Sequence, residues 1–357
     1  MALFKDMLKA DETLFRDEIA LDYDFLPKLL PYREKEQFHI ANCIKPLFQK
    51  RNGKNIFIHG APGIGKTAAT RHVLRDLENE TDEITSFYIN CWKKNTPHKI
   101  ILEMCSIIGY RFVQNKTTEE LFDAVKKELN KSSAVFVFDE VDKLDDINFL
   151  YSVLEDIFRK TIIIITNYKS WLANLDPRIK SRLTAEIIEF KPYNPEEAKG
   201  ILKKRLSYAF QSGVWDDTAF ETVAEKAGKL GDVRAGLYLL RESAIAAEEE
   251  SSRKITSEHV EKAIDKFDQF YINNSDDLEQ ETLKILELIK DNNNQKIGNL
   301  FEIYKKNGGS LAYSSFKRKI KKLEEGKFIS VDKTEGGDEG NTTIIKIKEK
   351  PKKLTDF

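Results

Sequence analysis

The sequence predicts an α/β fold. It should consist of a parallel sheet covered by helices, then an all-helical region, then a small C-terminal domain of helices and a hairpin. Three observations predict this. The stretch Gly60-Ala61-Pro62-Gly63-Ile64-Gly65-Lys66-Thr67 fits the phosphate-binding pattern G-x-x-x-x-G-K-[ST]. Short apolar, strand-like runs alternate with helical segments as far as Pro192, which is the order of a parallel sheet. Beyond Pro192 only helix-length patterns follow, to about Phe267.

The elements are taken in order. Residues 1–30 are mixed and read as an extended arm. Glu34–Lys50 reads as a helix, with Phe38, Ile40, Ile44 and Leu47 as a loose apolar stripe. Asn55–His59 is a short apolar strand. Ala68–Leu77 is a helix with Val73, Leu74 and Leu77 along one face. Ile84–Asn90 is the next strand, and Pro97–Gly109 and Thr117–Leu129 are helices. Ala134–Phe138 is a buried strand running into Asp139-Glu140. Ile147–Phe158 is helical, Thr161–Thr166 a strand ending at Asn167, and Glu186–Phe190 a fifth strand. Four helices follow, over Pro195–Phe210, Asp216–Ala227, Gly231–Glu248 and Thr256–Phe267, with Thr256 and Glu258 placed as an N-terminal cap region. Phe270–Gln280 is polar and reads as a linker. Helices over Asp277–Lys290, Lys296–Asn307 and Tyr313–Glu325 precede strands Phe328–Lys333 and Thr342–Ile347. Three helices with a two-stranded ribbon predict a winged helix. The expected division is an arm (1–30), a P-loop base domain (31–192), a helical lid (193–270) and a winged-helix domain (271–357).

Composition narrows the function classes. At 357 residues the chain has length for two or three domains and a large core. Hydrophobic residues make up 41% and charged residues 33%, and no apolar run approaches the roughly 18 residues of a membrane span. The charged N-terminus carries no signal-peptide pattern, so a cytoplasmic protein is expected. Cys43, Cys91 and Cys105 are far apart and read as reduced thiols without metal-ligand spacing. None of the five histidines is assigned to a metal or to catalysis. The net charge of −1 confines any nucleic-acid surface to a local patch.

The chemistry is expected at the strand ends. The loop glycines let backbone N–H groups turn inward on a phosphate, and the following helix adds its positive dipole end. Lys66 reaches the β- and γ-phosphates, and the Thr67 hydroxyl is a ligand for Mg²⁺. Asp139 ends an apolar strand, where a second Mg²⁺-holding acid belongs. Glu140 beside it can orient or deprotonate the attacking water. Asn167 can hold that water or contact the γ-phosphate. Arg234, opening a lid helix, can reach the phosphates, and Arg182 can act as an arginine finger toward a neighbour's ATP.

Several ordered motifs together resemble the archaeal replication-initiator family, similar to the eukaryotic origin-recognition subunits and the cell-division-control helicase loader. They are Pro31-Tyr32-Arg33-Glu34, Asn90-Cys91-Trp92 through Thr96-Pro97, Phe138-Asp139-Glu140-Val141-Asp142-Lys143-Leu144, and Thr166-Asn167. Leu175-Asp176-Pro177-Arg178-Ile179-Lys180-Ser181-Arg182-Leu183, Pro192-Tyr193 through Arg205, and Gly231-Asp232-Val233-Arg234 complete the set. The resemblance implies an AAA+ ATPase with a helical lid and a winged helix. It implies ATP or ADP with Mg²⁺, bound by Gly60, Gly63, Gly65, Lys66, Thr67, Ala68 and Ala69, with Tyr193 and Arg205 near the nucleotide at the sheet–lid junction. A tyrosine there can pack on adenine, and an arginine on the first lid helix can meet adenine's polar edge or a phosphate.

The implied function is ATP-dependent initiation: binding double-stranded origin DNA and helping to recruit or load the replicative helicase, with a paralogous initiator as a possible partner. The alternatives are a DNA-binding regulator that rarely hydrolyses ATP, and a signalling or transposition ATPase whose winged helix contacts protein. DNA contacts are expected from Tyr313, Ser314, Ser315, Lys317, Arg318 and Lys321, where Lys319 and Lys322 add charge. In the family the wing tends to be glycine- and arginine-rich. Here its tip carries Glu335, Asp338 and Glu339, which phosphates repel, while Lys346, Lys348, Lys350, Lys352 and Lys353 supply charge nearby. The family also implies a second DNA contact from the Pro97–Tyr110 region.

Overall fold

The computed structural model describes residues 13–276, 280–309, 311–325, 328–334 and 342–347. The wing-tip acids Glu335, Asp338 and Glu339, and Lys348, Lys350, Lys352 and Lys353, lie outside these residues, as do residues 1–12 of the arm.

By contacts the chain divides into two units, Met1–Ile264 and Asp265–Phe357. The first is built on a five-stranded parallel sheet. Its strands are β1 (Ile56–His59), β2 (Ile84–Asn90), β3 (Ser133–Asp139), β4 (Lys160–Thr166) and β5 (Glu186–Glu189), in the order β2-β3-β4-β1-β5. Side chains alternate across the sheet as the two-residue period requires. Phe136 and Phe138 of β3 join Phe57 and Phe87 on one face, where Phe87 and Phe136 stack at 5.0 Å or less, with centroids 4.9 Å apart. Val135 and Val137 join Ile56, Ile58, Ile163 and Ile165 on the other. Both faces are therefore buried, which is why these strands read as continuous apolar runs.

Helices α1 (Glu34–Ile44), α2 (Lys66–Glu80), α3 (Pro97–Ile107), α4 (Thr118–Leu129) and α5 (Asn148–Asp156) cover the sheet. Thr117 closes a capping box with Glu120 at the start of α4. The expected helix Glu34–Lys50 is shorter than the pattern suggested. Pro46 lacks the N–H that would continue the α-helix, so the chain tightens into a 3₁₀ turn over Lys45–Gln49. Phe38, assigned to the apolar stripe, is exposed, while Ile40, Ile44 and Leu47 are buried. Two short helices, α6 (Ser170–Ala173) and α7 (Pro177–Leu183), fill the stretch between β4 and β5. The second starts at Pro177 behind the side-chain cap of Asp176.

The lid comprises α8 (Pro195–Ala209), α9 (Asp217–Leu230), α10 (Val233–Glu249) and the start of α11 (Ser257–Asp276). Asn194 and Glu197 form a capping box on α8. At α11 it is His259, not Glu258, that meets Thr256: its Nδ1 lies 3.0 Å from the Thr256 N–H. The expected linker over Phe270–Gln280 is corrected. Helix α11 runs on to Asp276, because a polar stretch without Gly or Pro contains nothing that ends a helix. The boundary expected at residue 270 thus falls inside a helix.

The N-terminal stretch is not a loose arm over its described part. Residues Glu18–Leu21 form a 3₁₀ turn, Leu14, Ala20 and Leu21 are buried, and Phe15 stacks on Phe210 at 5.1 Å. The backbone of Leu14 and the hydroxyl of Thr13 both donate to Glu248 on α10.

The second unit holds α12 (Gln280–Asp291), α13 (Ile297–Lys306) and α14 (Tyr313–Glu325). A three-stranded antiparallel sheet completes it, β6 (Gln295–Lys296), β7 (Ile329–Thr334) and β8 (Thr342–Ile347), in the order β6-β8-β7. The two-residue β6 was not legible in the sequence. Ile285, Ile289, Leu300, Phe316, Leu323 and Ile345 form this unit's own core.

Candidate functional site

Topology brings the site residues together. Strand β4 lies between β1 and β3, so the loop after β1, the acids after β3 and the asparagine after β4 share one edge of the sheet. Ligands of open α/β sheets bind at this carboxyl edge.

The loop turns through Gly63 and Gly65, at φ +76° and +87°. A side chain at Gly63 would strike the Asp232 carboxylate, and one at Gly65 the Tyr193 hydroxyl. Both positions therefore need glycine for backbone conformation and for space. Thr67, Ala68 and Ala69 lie in the first turn of α2, where the Ala69 N–H closes on the Gly65 carbonyl at 2.9 Å and the N–H groups before it have no partner within the helix ladder. Lys66 is 7% exposed, and its ammonium donates to the carbonyls of Gly60 and Ala61 and to Asn167 Oδ1, each at 2.8 Å. Burial lowers its pKa to about 8. The carboxylate of Asp139 opposes that shift, and the charge of Arg234 adds to it. A buried ammonium whose direct partners are all neutral oxygens, held at an inward-turned glycine loop, suits a phosphate.

The Thr67 hydroxyl donates to Asp139 Oδ2 at 2.6 Å. Asp139 is 2% exposed and also accepts from the Tyr88 hydroxyl at 2.7 Å and from the Glu140 N–H at 2.9 Å. A hydroxyl and a carboxylate converging at the loop are the hard oxygen donors that Mg²⁺ takes. Glu140 adopts the left-handed conformation at φ +54°, which costs a non-glycine residue about 1 kcal/mol or more. Its carboxyl is pushed above the usual range by burial first, then by the charges of Asp139 and Asp142. Asp142 in turn accepts from the Thr166 hydroxyl at 2.8 Å, tying the acidic turn to the end of β4.

The lid supplies the other wall. Asp232 caps α10 by accepting the Arg234 N–H at 2.9 Å, and it pairs with the Arg234 guanidinium at 3.1 Å. The charge of Arg234 is close enough to act on Lys66. Tyr193 is buried, and the guanidinium of Arg33 lies 4.0 Å above its ring. Arg33 also donates to the carbonyls of Ile64, at 2.9 Å and 3.1 Å, and of Lys191, at 2.6 Å.

Arg205 is placed differently from what the resemblance implied. Its two terminal nitrogens donate to the carbonyls of Ala20 (2.9 Å) and Phe25 (3.0 Å), so it clamps the N-terminal stretch to the lid. Burial lowers its pKa to about 10. Arg182 lies on α7, half-exposed. It is bonded to Glu155 at 2.5 Å and sits over the Tyr151 ring at 5.0 Å.

In the second unit, α14 is divided cleanly. Phe316, Ile320 and Leu323 are buried, while Ser314, Lys317, Arg318 and Lys321 are exposed at i, i+3, i+4 and i+7, on one face. Ser315 is half-buried, and Tyr313 is exposed with its ring edge-on to Phe301 at 5.0 Å. The side chain of Lys322 lies outside the described ones.

Sequence reasoning did not single out Tyr88, Arg33 or Asp232 as site residues. Arg33 and Asp232 stand inside motifs already quoted for the resemblance. Tyr88 carried no signal, because only the pairing of β2 with β3 brings it to Asp139.

Residues 49–169 match the model of an AAA domain, and residues 199–265 that of the Cdc6 AAA+ ATPase-type lid domain. The chain is 36% identical over 265 residues to the ORC1-type DNA replication protein 1 of Sulfurisphaera tokodaii. That match covers 70% of this chain and 66% of the relative, just under two thirds of its length. It is 30% identical over 361 residues to the ORC1-type DNA replication protein 2 of Methanosarcina acetivorans, covering 96% of this chain and 95% of that one. The fold matches the Aeropyrum pernix ORC1 protein solved in complex with DNA, with TM-score 0.70 at 24% identity, over 96% of this chain and 95% of that one. It also matches the Aeropyrum pernix ORC2 protein in its ADPNP-ADP complexes, with TM-score 0.72 at 17% identity, over 94% of each.

Proposed function

Because this chain belongs to the family of ORC1-type DNA replication proteins, with an AAA domain and a Cdc6-type lid, we propose that it is a replication initiator. In this reading it binds duplex origin DNA, switches by slow ATP hydrolysis, and helps recruit or load the replicative helicase. The observation that carries the ATP part is the convergence of Lys66, Thr67, Asp139, Glu140 and Asn167 on one sheet edge, walled by Arg234 from the lid. The relatives' shared name carries the replication part. That the Aeropyrum pernix ORC1 protein was solved in complex with DNA supports DNA as the ligand.

The roles follow from the residues. Gly60, Gly63, Gly65 and Ala68 present backbone N–H groups to the phosphates, Lys66 meets their charge, and Ala69, its own N–H bonded to the Gly65 carbonyl, backs the loop in the buried core. Thr67 and Asp139 would hold Mg²⁺, which supplies charge neutralisation at the phosphates when bound. Glu140 takes the proton of the attacking water, and Asn167, already held by Lys66, orients that water. Tyr193, with Arg33 stacked on it, offers a face for the base. Arg205 acts on this pocket by holding the lid to the N-terminal stretch. Arg182, on the outward side of α7, serves a neighbour's site in an assembly with a second copy or a paralogue.

We read the second unit as a winged helix with α14 as its DNA helix. Lys317, Lys321 and Ser314 then face phosphates, Tyr313 and Ser315 flank them, and Arg318 faces a base edge.

The test is binding of the purified chain, with ATP and Mg²⁺, to duplex from its own genome's replication origin and to random duplex across a salt series. A preference for origin duplex with a steep salt dependence is expected. Equal, weak binding to both would favour the alternative of an AAA+ ATPase that uses its C-terminal domain on protein.

A further inference from the structure

A second cluster of chemistry-bearing side chains lies away from the phosphate loop, at the outer edge of the sheet. His39 and Cys43 stand one turn apart on α1, and Glu186 opens the edge strand β5. Their ligand atoms, an imidazole nitrogen, a thiol sulfur and a carboxylate oxygen, all lie within 4.8 Å of one another. They line an open cavity of about 410 Å³ with Lys35, Phe38, Asn42 and Lys54.

The two oxygens of Glu186 have separate tasks. Oε2 faces the cluster, 2.6 Å from His39 Nε2 and 3.5 Å from Cys43 Sγ. Oε1 faces away and accepts from the Lys54 ammonium at 2.7 Å. Lys54 therefore fixes the carboxylate with one oxygen turned toward the nitrogen and sulfur, as outer partners of metal ligands do. Cys43 is buried, whereas His39 and Glu186 are partly open to the cavity, so a fourth position can be filled by water.

We propose that His39, Cys43 and Glu186 form a binding site for a borderline-soft divalent cation of the zinc class. The donor set argues for that class. Thiolate and imidazole select zinc-like ions, whereas Mg²⁺ and Ca²⁺ take oxygen ligands only. The spacing suits it too. Bonds of about 2.0–2.3 Å at tetrahedral angles put ligand atoms about 3.3–3.8 Å apart, so the His39–Glu186 pair has to open by about 1 Å. Binding displaces the thiol proton of Cys43, and His39 coordinates through Nε2 as the tautomer that carries its proton on Nδ1. The site then bolts α1 to strand β5. Since α1 begins beside Arg33, whose guanidinium stacks on Tyr193, the bolt fixes the helix that carries one wall of the proposed base pocket.

Cobalt(II) is the probe, because its thiolate bond gives a charge-transfer absorption that oxygen-only coordination lacks. The full-length chain, with Mg²⁺ and ADP present to occupy the phosphate site, is titrated with Co²⁺ and then back-titrated with Zn²⁺. One equivalent of Co²⁺ should produce the thiolate band, and Zn²⁺ should bleach it. Cys43→Ser should abolish the band, His39→Ala and Glu186→Gln should weaken binding at least tenfold, and Lys54→Ala should weaken it about tenfold. Cys91→Ser and Cys105→Ser should leave the band in place. A wild-type chain that gives no thiolate band, or a band that survives Cys43→Ser, overturns the site and leaves a plain Lys54–Glu186–His39 ion network. Neither result bears on ATP or DNA binding, so the functional reading stands or falls separately.

Discussion

Lys66 is a cation taken partly out of water before any phosphate arrives. Its pKa near 8 means that burial penalises the charged form. The sign follows directly. In the unfolded chain a lysine titrates at about 10.4, so the ligand-free fold carries the full penalty of this charge below about pH 8 and is relieved of it as pH rises from about 8 to about 10.4. A phosphate reverses the preference and raises the pKa again. Nucleotide affinity should therefore fall as pH rises through about 8, with proton uptake on binding. Calorimetry in buffers of different ionisation enthalpy reads this, and affinity flat from pH 7 to 9.5 would sink it. Lys66→Ala should remove both the pH dependence and tight binding. Glu140 makes the complementary case. Its pKa is raised, by burial first, so hydrolysis should fail on acidification at a higher pH than an ordinary glutamate would give. Glu140→Gln should keep nucleotide affinity and slow single-turnover hydrolysis about 10²-fold or more. An unchanged rate would give Glu140 another role. The Lys66, Thr67, Asp139 and Glu140 positions were legible in the sequence because a fixed spacing and an apolar strand end specify them. Tyr88 was not, because its contact depends on which strand lies next to β3, and no local pattern encodes that.

Helix α14 shows what a single element does and does not disclose. Its amphipathic spacing was readable: Phe316, Ile320 and Leu323 go inward, and Ser314, Lys317, Arg318 and Lys321 stay out. Lys317→Ala with Lys321→Ala should weaken binding to every duplex. The slope of log affinity against log salt should flatten by about one unit per lost phosphate contact. Arg318→Ala should instead lower the origin-to-random ratio, at about 1–3 kcal/mol for a bidentate base contact. Native circular dichroism with undiminished affinity in the triple variant would move the DNA surface to the ATPase domain. Other elements were misjudged for identifiable reasons. A single proline, Pro46, ended α1 earlier than apolar periodicity implied. Conversely, the polar composition of Phe270–Gln280 suggests a linker, yet the stretch holds no helix breaker and α11 continues to Asp276. Periodicity finds faces, and breakers set ends.

At the scale of the first unit, sequence-distant segments are held together by groups that no motif announces. Residues 13–25 precede the sheet, yet they dock on the lid 180 to 235 residues later through Glu248, Phe210 and Arg205. This could not be read beforehand, because the bonds run from side chains to backbone and composition carries no trace of them. Replacing Arg205 with methionine keeps the apolar stem and strands two carbonyl oxygens. Unsatisfied buried groups cost about 1–3 kcal/mol each, and the Phe25 carbonyl is only partly buried and can recover water, so a loss of about 2–4 kcal/mol is expected in denaturant unfolding. Faster proteolysis near residues 13–25 should accompany it. Unchanged stability and unchanged cleavage would show that the clamp is incidental.

That clamp also bears on how the chain tolerates change over generations. Arg205 recognises main-chain oxygens, which every amino acid supplies. Residues 20 and 25 can therefore drift in identity without losing the bonds, within the limits set by the burial of Ala20 and by the Phe25 ring, over which the Arg205 guanidinium sits at 4.8 Å. What the contact polices is length. An insertion or deletion between Ala20 and Phe25 would carry one carbonyl out of reach, so this short span should be far less forgiving of indels than of substitutions.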